Sequence, residues 1–199
     1  MSAYFNLYFR TFGNPELATD SGDGLTFNLS GKDIQAAPAP KVYVNGVLMV
    51  SGYTINPGDQ TTNGSVTFSV SQAGNAVKVA YRWKYECSVE ETLTSYGLER
   101  TPNVKATQDA NGKDMLNISY SPSGKFKGLF GFEYVAKILW ETFDKCVQNA
   151  WTFDVEDTSD TTEPNSVSNC MVLPDPAPRY ERIEGMPDMV NLGIAWKKI

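Results

Sequence analysis

The sequence predicts a mainly β protein, with β-sandwich or barrel-like sheets and one long α-helix packed on a sheet. Between Lys41 and Glu86, three apolar segments are separated by clusters of Gly, Pro, Asn, Asp and Ser, the punctuation of an antiparallel meander. In the last of these segments Val77, Val79, Tyr81, Trp83 and Tyr85 alternate with Lys78, Ala80, Arg82, Lys84 and Glu86. A period of two places the bulky side chains on one sheet face and leaves the other face wet. Helical spacing is clear in one stretch, from Phe132 to Ala150.

Within the central stretch, Val66, Phe68 and Val70 repeat the alternation, and Asn45-Gly46 supplies a pair that tolerates positive φ, suited to a tight hairpin or bulge. The order of features is distinctive. An aromatic and valine strand ends in Val44-Asn45-Gly46; Gly52-Tyr53-Thr54-Ile55 follows, then Gly64-Ser65-Val66-Thr67-Phe68, then a valine strand closing on Tyr81. This stretch resembles a β-module that recurs in virion proteins of tailed bacteriophages, in tail, neck and fibre components. The resemblance implies a structural protein, and a fold of many strands plus one helix similar to tail-tube, tail-terminator and neck proteins.

The chain has 199 residues, 41% of them hydrophobic and 20% charged, enough for one large domain or two small ones. We expect a single mostly-β domain over 1–199, with a subdivision into a 1–87 β-module and an 88–199 half of strands plus helix. Net charge is −6 and no block of Lys and Arg occurs, so the electrostatic footprint of a nucleic-acid or anionic-membrane binder is missing. No apolar run approaches the roughly 20 residues of a membrane span, and MSAYFNLYFR lacks the basic-then-apolar order of a signal peptide. Histidine is absent, which removes Ser-His-Asp and Cys-His nucleophilic sites and HExxH zinc sites. Cys87, Cys146 and Cys170 are too scattered for a disulfide framework or a CxxC site and read as reduced, partly buried thiols.

In chain order, Ala3 to Phe12 is dense in aromatics and reads as a strand. It is either docked within its own subunit or exchanged as an arm onto a neighbour's sheet edge. Asp20 and Asp23 sit in a turn that lacks the order of a calcium loop, and Leu25, Phe27 and Leu29 alternate after it. Ala36 to Pro40 is an extended linker. Ser88 to Thr94 reads as a short helix, with Ser88 as cap and Glu91 at the capping-box position, limited by Pro102 and Asn103. Val104 and Ala106, then Leu116, Ile118 and Tyr120, form a hairpin about Asn111-Gly112, and Ser121 to Gly131 reads as a loop.

Phe132, Val135, Ala136, Leu139, Phe143, Cys146, Val147 and Ala150 make the apolar stripe of the helix, while Glu133, Lys137, Glu141 and Lys145 are i, i+4 neighbours on a solvated face. Trp151, Phe153 and Val155 alternate as a strand. Glu156 to Ser166 is an acidic loop expected to be mobile, and Asn169 to Leu173 is a short apolar run. Pro174 to Pro178 is a rigid spacer, and Leu192, Ile194 and Trp196 alternate in a closing strand.

Asp154 and Glu156 are the pair of carboxylates that could hydrolyse a glycosidic bond across a cleft, or gather with Asp157 and Asp160 around a cation. No nucleophile elbow, phosphate-cradling loop or metal-ligand cluster accompanies them, so neither an enzyme nor a cofactor or metal is expected. The expectation is a virion building block made in the host bacterial cytoplasm. It would assemble as a homo-oligomeric ring in the neck, at the head-to-tail connection, or in the tail. Its partners would be copies of itself and neighbouring neck or tail proteins, with no specific nucleic acid and no membrane. Tyr4, Phe5, Tyr8, Phe9, Tyr134 and Trp140 are the candidate subunit contacts. The alternative is a carbohydrate- or receptor-binding β-module of a tail fibre or baseplate, using four Trp and ten Tyr as stacking surfaces.

Overall fold

The computed structural model describes residues 5–87, 95–108, 114–130, 133–157, 166–174, 179–183 and 186–199. Its elements are β1 (Phe5–Arg10), β2 (Glu16–Leu17), β3 (Thr19–Asp20), β4 (Thr26–Lys32), β5 (Lys41–Val44), β6 (Val47–Met49), β7 (Tyr53–Asn56), β8 (Asn63–Phe68), β9 (Val77–Ala80), β10 (Arg82–Cys87), β11 (Ser95–Gln108) and β12 (Asp114–Phe130). Then follow α1 (Glu133–Asn149), β13 (Thr152–Asp157), β14 (Ser166–Val172), β15 (Arg179–Ile183) and β16 (Met186–Lys198). The fold is mainly β, antiparallel and sandwich-like, with one helix among the described residues. Two compact units divide it: Met1–Val89 with Gln148–Ser168, and Glu90–Val147 with Asn169–Ile199. Among the described residues no helix is long and apolar enough to cross a membrane.

In the first unit, β2-β9-β5-β6 form one four-stranded sheet and β3-β4-β8-β7 another, while β1 lies between β10 and β13. The three segments after Lys41 therefore do not make a single meander. Asn45 and Gly46, both at positive φ, close the two-residue hairpin of β5 and β6. The chain then leaves for the other sheet, where β8 pairs with β7 and β4, and returns as β9 beside β5. Local alternation is the same for either pairing. In the observed pairing Phe27 of β4 and Phe68 of β8, both buried, meet edge-to-face.

The alternating run from Val77 to Tyr85 is buried at all five bulky positions, yet it serves two sheets. β9 belongs with β5, β10 pairs with β1, and the switch falls at Tyr81. Thr11 fixes that corner: its N–H donates to the Tyr81 carbonyl at 3.0 Å, and the Tyr81 N–H donates to Thr11 Oγ1 at 2.9 Å. The Tyr81 hydroxyl donates to the Glu16 carboxylate and accepts from the Gly31 N–H at 3.0 Å. Burial, reinforced by Glu16, drives that phenol's pKa well above its usual value. Gly31 is required here, because a Cβ would run into the Tyr81 ring and lie 2.8 Å from Trp83 Cγ.

In the second unit β14-β16-β12-β11 is the sheet order, with β15 also paired to β16. Strands β11 and β12 pair antiparallel, as expected, with Val104 facing Ile118 and Ala106 facing Leu116. Both strands run further than expected. Ser121 to Phe130 is strand and not loop, because β12 is paired on both sides, by β11 and by β16. Backbone partners on two edges override weak local propensity. Pro102 lies inside β11 opposite Tyr120; β11 ends the sheet order, where a missing N–H is tolerated.

Helix α1 buries Leu139, Phe143 and Cys146 at i, i+4 and i+7, and the exposed Lys137 and Glu141 approach to 4.0 Å. Cys146 and Cys170 are buried free thiols. The expectations for residues 88–94, for Asn111-Gly112, for most of the acidic loop and for the spacer beyond Pro174 lie outside the described residues.

Candidate functional site

Strand β1 alternates between two environments. Leu7 and Phe9 point into the core with Trp83 and Tyr85 of β10 and Phe153 and Val155 of β13, all buried. Asn6, Tyr8 and Arg10 take the other face. Register sets Asn6 between Glu86 and Glu156, Tyr8 between Lys84 and Asp154, and Arg10 between Arg82 and Thr152. The result is a ladder of polar and charged side chains across three strands.

Asp154 is the anchor of that ladder and is only 7% exposed, although it stands in a strand whose neighbours are apolar. Its Oδ2 accepts from Nη2 of Arg10 and, at 3.2 Å, from Nη2 of Arg82. The Arg82 guanidinium also lies 4.0 Å from the centroid of the Tyr8 ring, within cation–π range. Glu156 Oε2 accepts from Asn6 Nδ2 and from the Tyr8 hydroxyl, both at 2.9 Å. The Asn6 bond is the main cause that holds the Glu156 carboxyl below its ordinary range. Burial, with the Glu156 bond second, pushes the Tyr8 phenol up to about 12. Lys84 pairs with Glu86 along β10.

These charges engage one another. A glycosidic acid needs a carboxyl whose pKa is raised, and Glu156 is shifted the opposite way. Asp154 is tied to two guanidiniums. The arrangement suits a rigid, charge-compensated sheet face. The turn carboxylates behave in the same manner. Asp20 Oδ1 accepts from the N–H groups of Gly22 and Gly24, and Asp23 Oδ1 from those of Leu25 and Thr26. This is the ordinary turn expected there, and the backbone bonds, that of Thr26 foremost, lower the Asp23 pKa. Among the described residues no group of three or more metal-ligating side chains comes together.

Of the anticipated subunit contacts, Tyr8 sits half-buried in the ladder, and Trp140 is half-buried on α1. Phe9 is corrected: it is fully buried and stacked on Trp83 at 4.5 Å, so it belongs to the core of its own unit and offers no surface. Phe5 pairs through its backbone with Cys87 and Asp157, so the described part of the first segment is docked between β10 and β13. Tyr4 and the side chains of Phe5 and Tyr134 lie outside the described residues. The sequence reading missed Asn6, Arg10 and Arg82. The signal was present, since a polar or hydroxyl-bearing side chain recurs at every second position from Asn6 to Arg10.

No protein-family model, no curated protein and no solved structure matches the chain.

Proposed function

We propose that the protein is a structural subunit of a tailed-phage virion, one copy among several in a homo-oligomeric ring of the neck or tail, in contact with neighbouring neck or tail proteins. The observation that supports a geometric role over a chemical one is the closure of the ladder. Two of its three carboxylates, Asp154 and Glu156, are bonded to Arg10, Arg82, Asn6 and Tyr8 of the adjacent strands, and the third, Glu86, pairs with Lys84 of its own strand. Such a network stiffens a sheet face and fixes its register. The resemblance of Lys41 to Tyr81 to a virion β-module supports the same reading. Against the sugar-binding alternative stands the placement of Trp83, Trp151 and Trp196 in the cores of their units, away from any ring-stacking surface.

The test is mass spectrometry and cryo-electron microscopy of purified virions of the phage that encodes the chain. Multiple symmetric copies at the neck or tail are expected. Absence from the particle rejects the proposal.

A further inference from the structure

Main chain covers only part of the outer edge of β10. Ile34 bridges Trp83, the Gln35 N–H donates to the Arg82 carbonyl at 2.8 Å, and the Lys84 N–H donates to the Asp33 carbonyl at 3.2 Å. This pairing begins at Asp33, whose φ of 46° turns the chain out of β4, and Lys32 before it pairs instead with Asn63 of β8. The Lys84 carbonyl and the Glu86 N–H therefore lie beyond the reach of segment 33–35. A strand edge with unpaired main-chain groups is a template for the addition of another strand.

The Gln60 side chain covers the remainder. Its Oε1 accepts from the Glu86 N–H at 3.1 Å, and its Nε2 donates to the Lys84 carbonyl at 3.2 Å and to Asp33 Oδ2 at 3.0 Å. One primary amide satisfies both edge groups and ties them to the residue at which the main-chain pairing begins. The chemistry asks for a carboxamide: a glutamate at this position keeps the acceptor, loses both donors and faces the Asp33 carboxylate, while a lysine has no acceptor for the Glu86 N–H. The loop that presents Gln60 is held on both sides. The Ile34 N–H donates to the Pro57 carbonyl at 2.9 Å, and Asp59 Oδ1 accepts from the N–H groups of Thr61 and Thr62, each at 2.7 Å. Gly58, at a φ of 69°, lets the loop fold back so closely that a Cβ there would run into the Thr62 carbonyl and lie 2.8 Å from the Asn63 carbonyl carbon.

We propose that residues 57–62 are a strap that closes the outer edge of β10, with Gln60 as its latch. Shut, the latch occupies the Lys84 carbonyl and the Glu86 N–H, through which a further strand would pair. Released, it leaves both groups open to strand addition. Nothing in β10 itself ends the sheet there, since its Arg82, Lys84 and Glu86 all turn bonding groups outward; one side chain from a neighbouring loop does.

Amide exchange of the full chain, read residue by residue by NMR, tests the latch. In Gln60→Met, which keeps the length and removes the amide, exchange of the Glu86 N–H is expected to rise about tenfold, the equivalent of one lost hydrogen bond, while the Lys84 N–H, held by the Asp33 carbonyl, stays within about twofold. By sedimentation velocity the same variant is expected to form larger species than the unmodified chain at equal concentration. Adding Glu86→Pro, which removes the open N–H and is tolerated on an edge strand, is expected to reverse that gain. An equal rise at Lys84 and Glu86, which marks general loosening, no rise at Glu86, no added association in Gln60→Met, or association that survives Glu86→Pro would each overturn the proposal. Every comparison is made with the unmodified chain under the same conditions, so none of these results depends on finding the chain in virions or on its forming a ring.

Discussion

Replacing Asp154 by alanine tests whether the ladder contributes to folding or merely decorates a wet face. The side chain is nearly buried, and its removal leaves Arg10 and Arg82, directly paired across β1 and β10, as adjacent like charges. Breaking a buried pair costs about 3 to 5 kcal/mol. The two arginine side chains are 31% and 24% exposed, although the Nε of each is buried, so solvent screens the pair only in part; we discount the loss to about 2 to 3 kcal/mol. Arg82→Ala alone should cost about 1 to 2 kcal/mol, since it gives up the 3.2 Å bond and the stacking over Tyr8 but leaves Asp154 paired with Arg10. The double variant should then lose less than the sum, because removing Arg82 relieves the repulsion that Asp154→Ala creates. Urea unfolding followed by tryptophan fluorescence reports both units, as Trp83 and Trp151 lie in the first and Trp140 and Trp196 in the second. Amide exchange of peptides from β1, β10 and β13 assigns the loss to the first unit. A destabilisation under about 0.5 kcal/mol, with additive single effects, would refute the reasoning and reduce the ladder to solvated surface charges.

Phe9→Ala should destabilise by about 3 to 5 kcal/mol, as for a fully buried ring, and unfold at lower urea in the same assay, whereas an exchanged arm would lose assembly and little stability. Gly31→Ala should cost more than Gly46→Ala. The first overpacks two buried rings at about 1 to 3 kcal/mol or more, while the second meets open space and carries only the roughly 1 kcal/mol penalty of a left-handed residue. Thermal melts rank the two. In acid, Glu156, Asp23 and Asp59, the last held down by the Thr61 hydroxyl and the Thr61 and Thr62 N–H groups that donate to its Oδ1, have lowered folded pKa values, so their stabilisation is complete above the unfolded value of about 4 and is lost as pH falls through the folded ones. Melting temperature should begin to fall as pH drops below about 4. In alkali the sign reverses for Tyr8: its contribution is full below pH 10 and lost between 10 and about 12, so Tyr8→Phe should flatten that limb of the curve.

By itself, the sequence determined the elements whose signal is local. The period of two at Val77 to Tyr85 and at Trp151 to Val155, the Asn45-Gly46 turn and the helical stripe through Leu139, Phe143 and Cys146 all stand where the spacing puts them. Each rests on the geometry of one strand, one turn or one helix, and a single stretch of chain carries that geometry whole. Pairing was decided only by the tertiary structure. A strand's alternation says which face is buried and is silent on which neighbour buries it, so the split of one alternating run between two sheets at Tyr81 needed Thr11, seventy positions away, to fix the corner. Strand character from Ser121 to Phe130 likewise came from two flanking strands and not from its own Gly, Ser and Lys. Asp154 shows the same limit. In sequence it is one carboxylate among several beside an acidic loop, and only the docking of β1 against β13 brings Arg10 to it across 144 positions and makes a buried, paired charge of it.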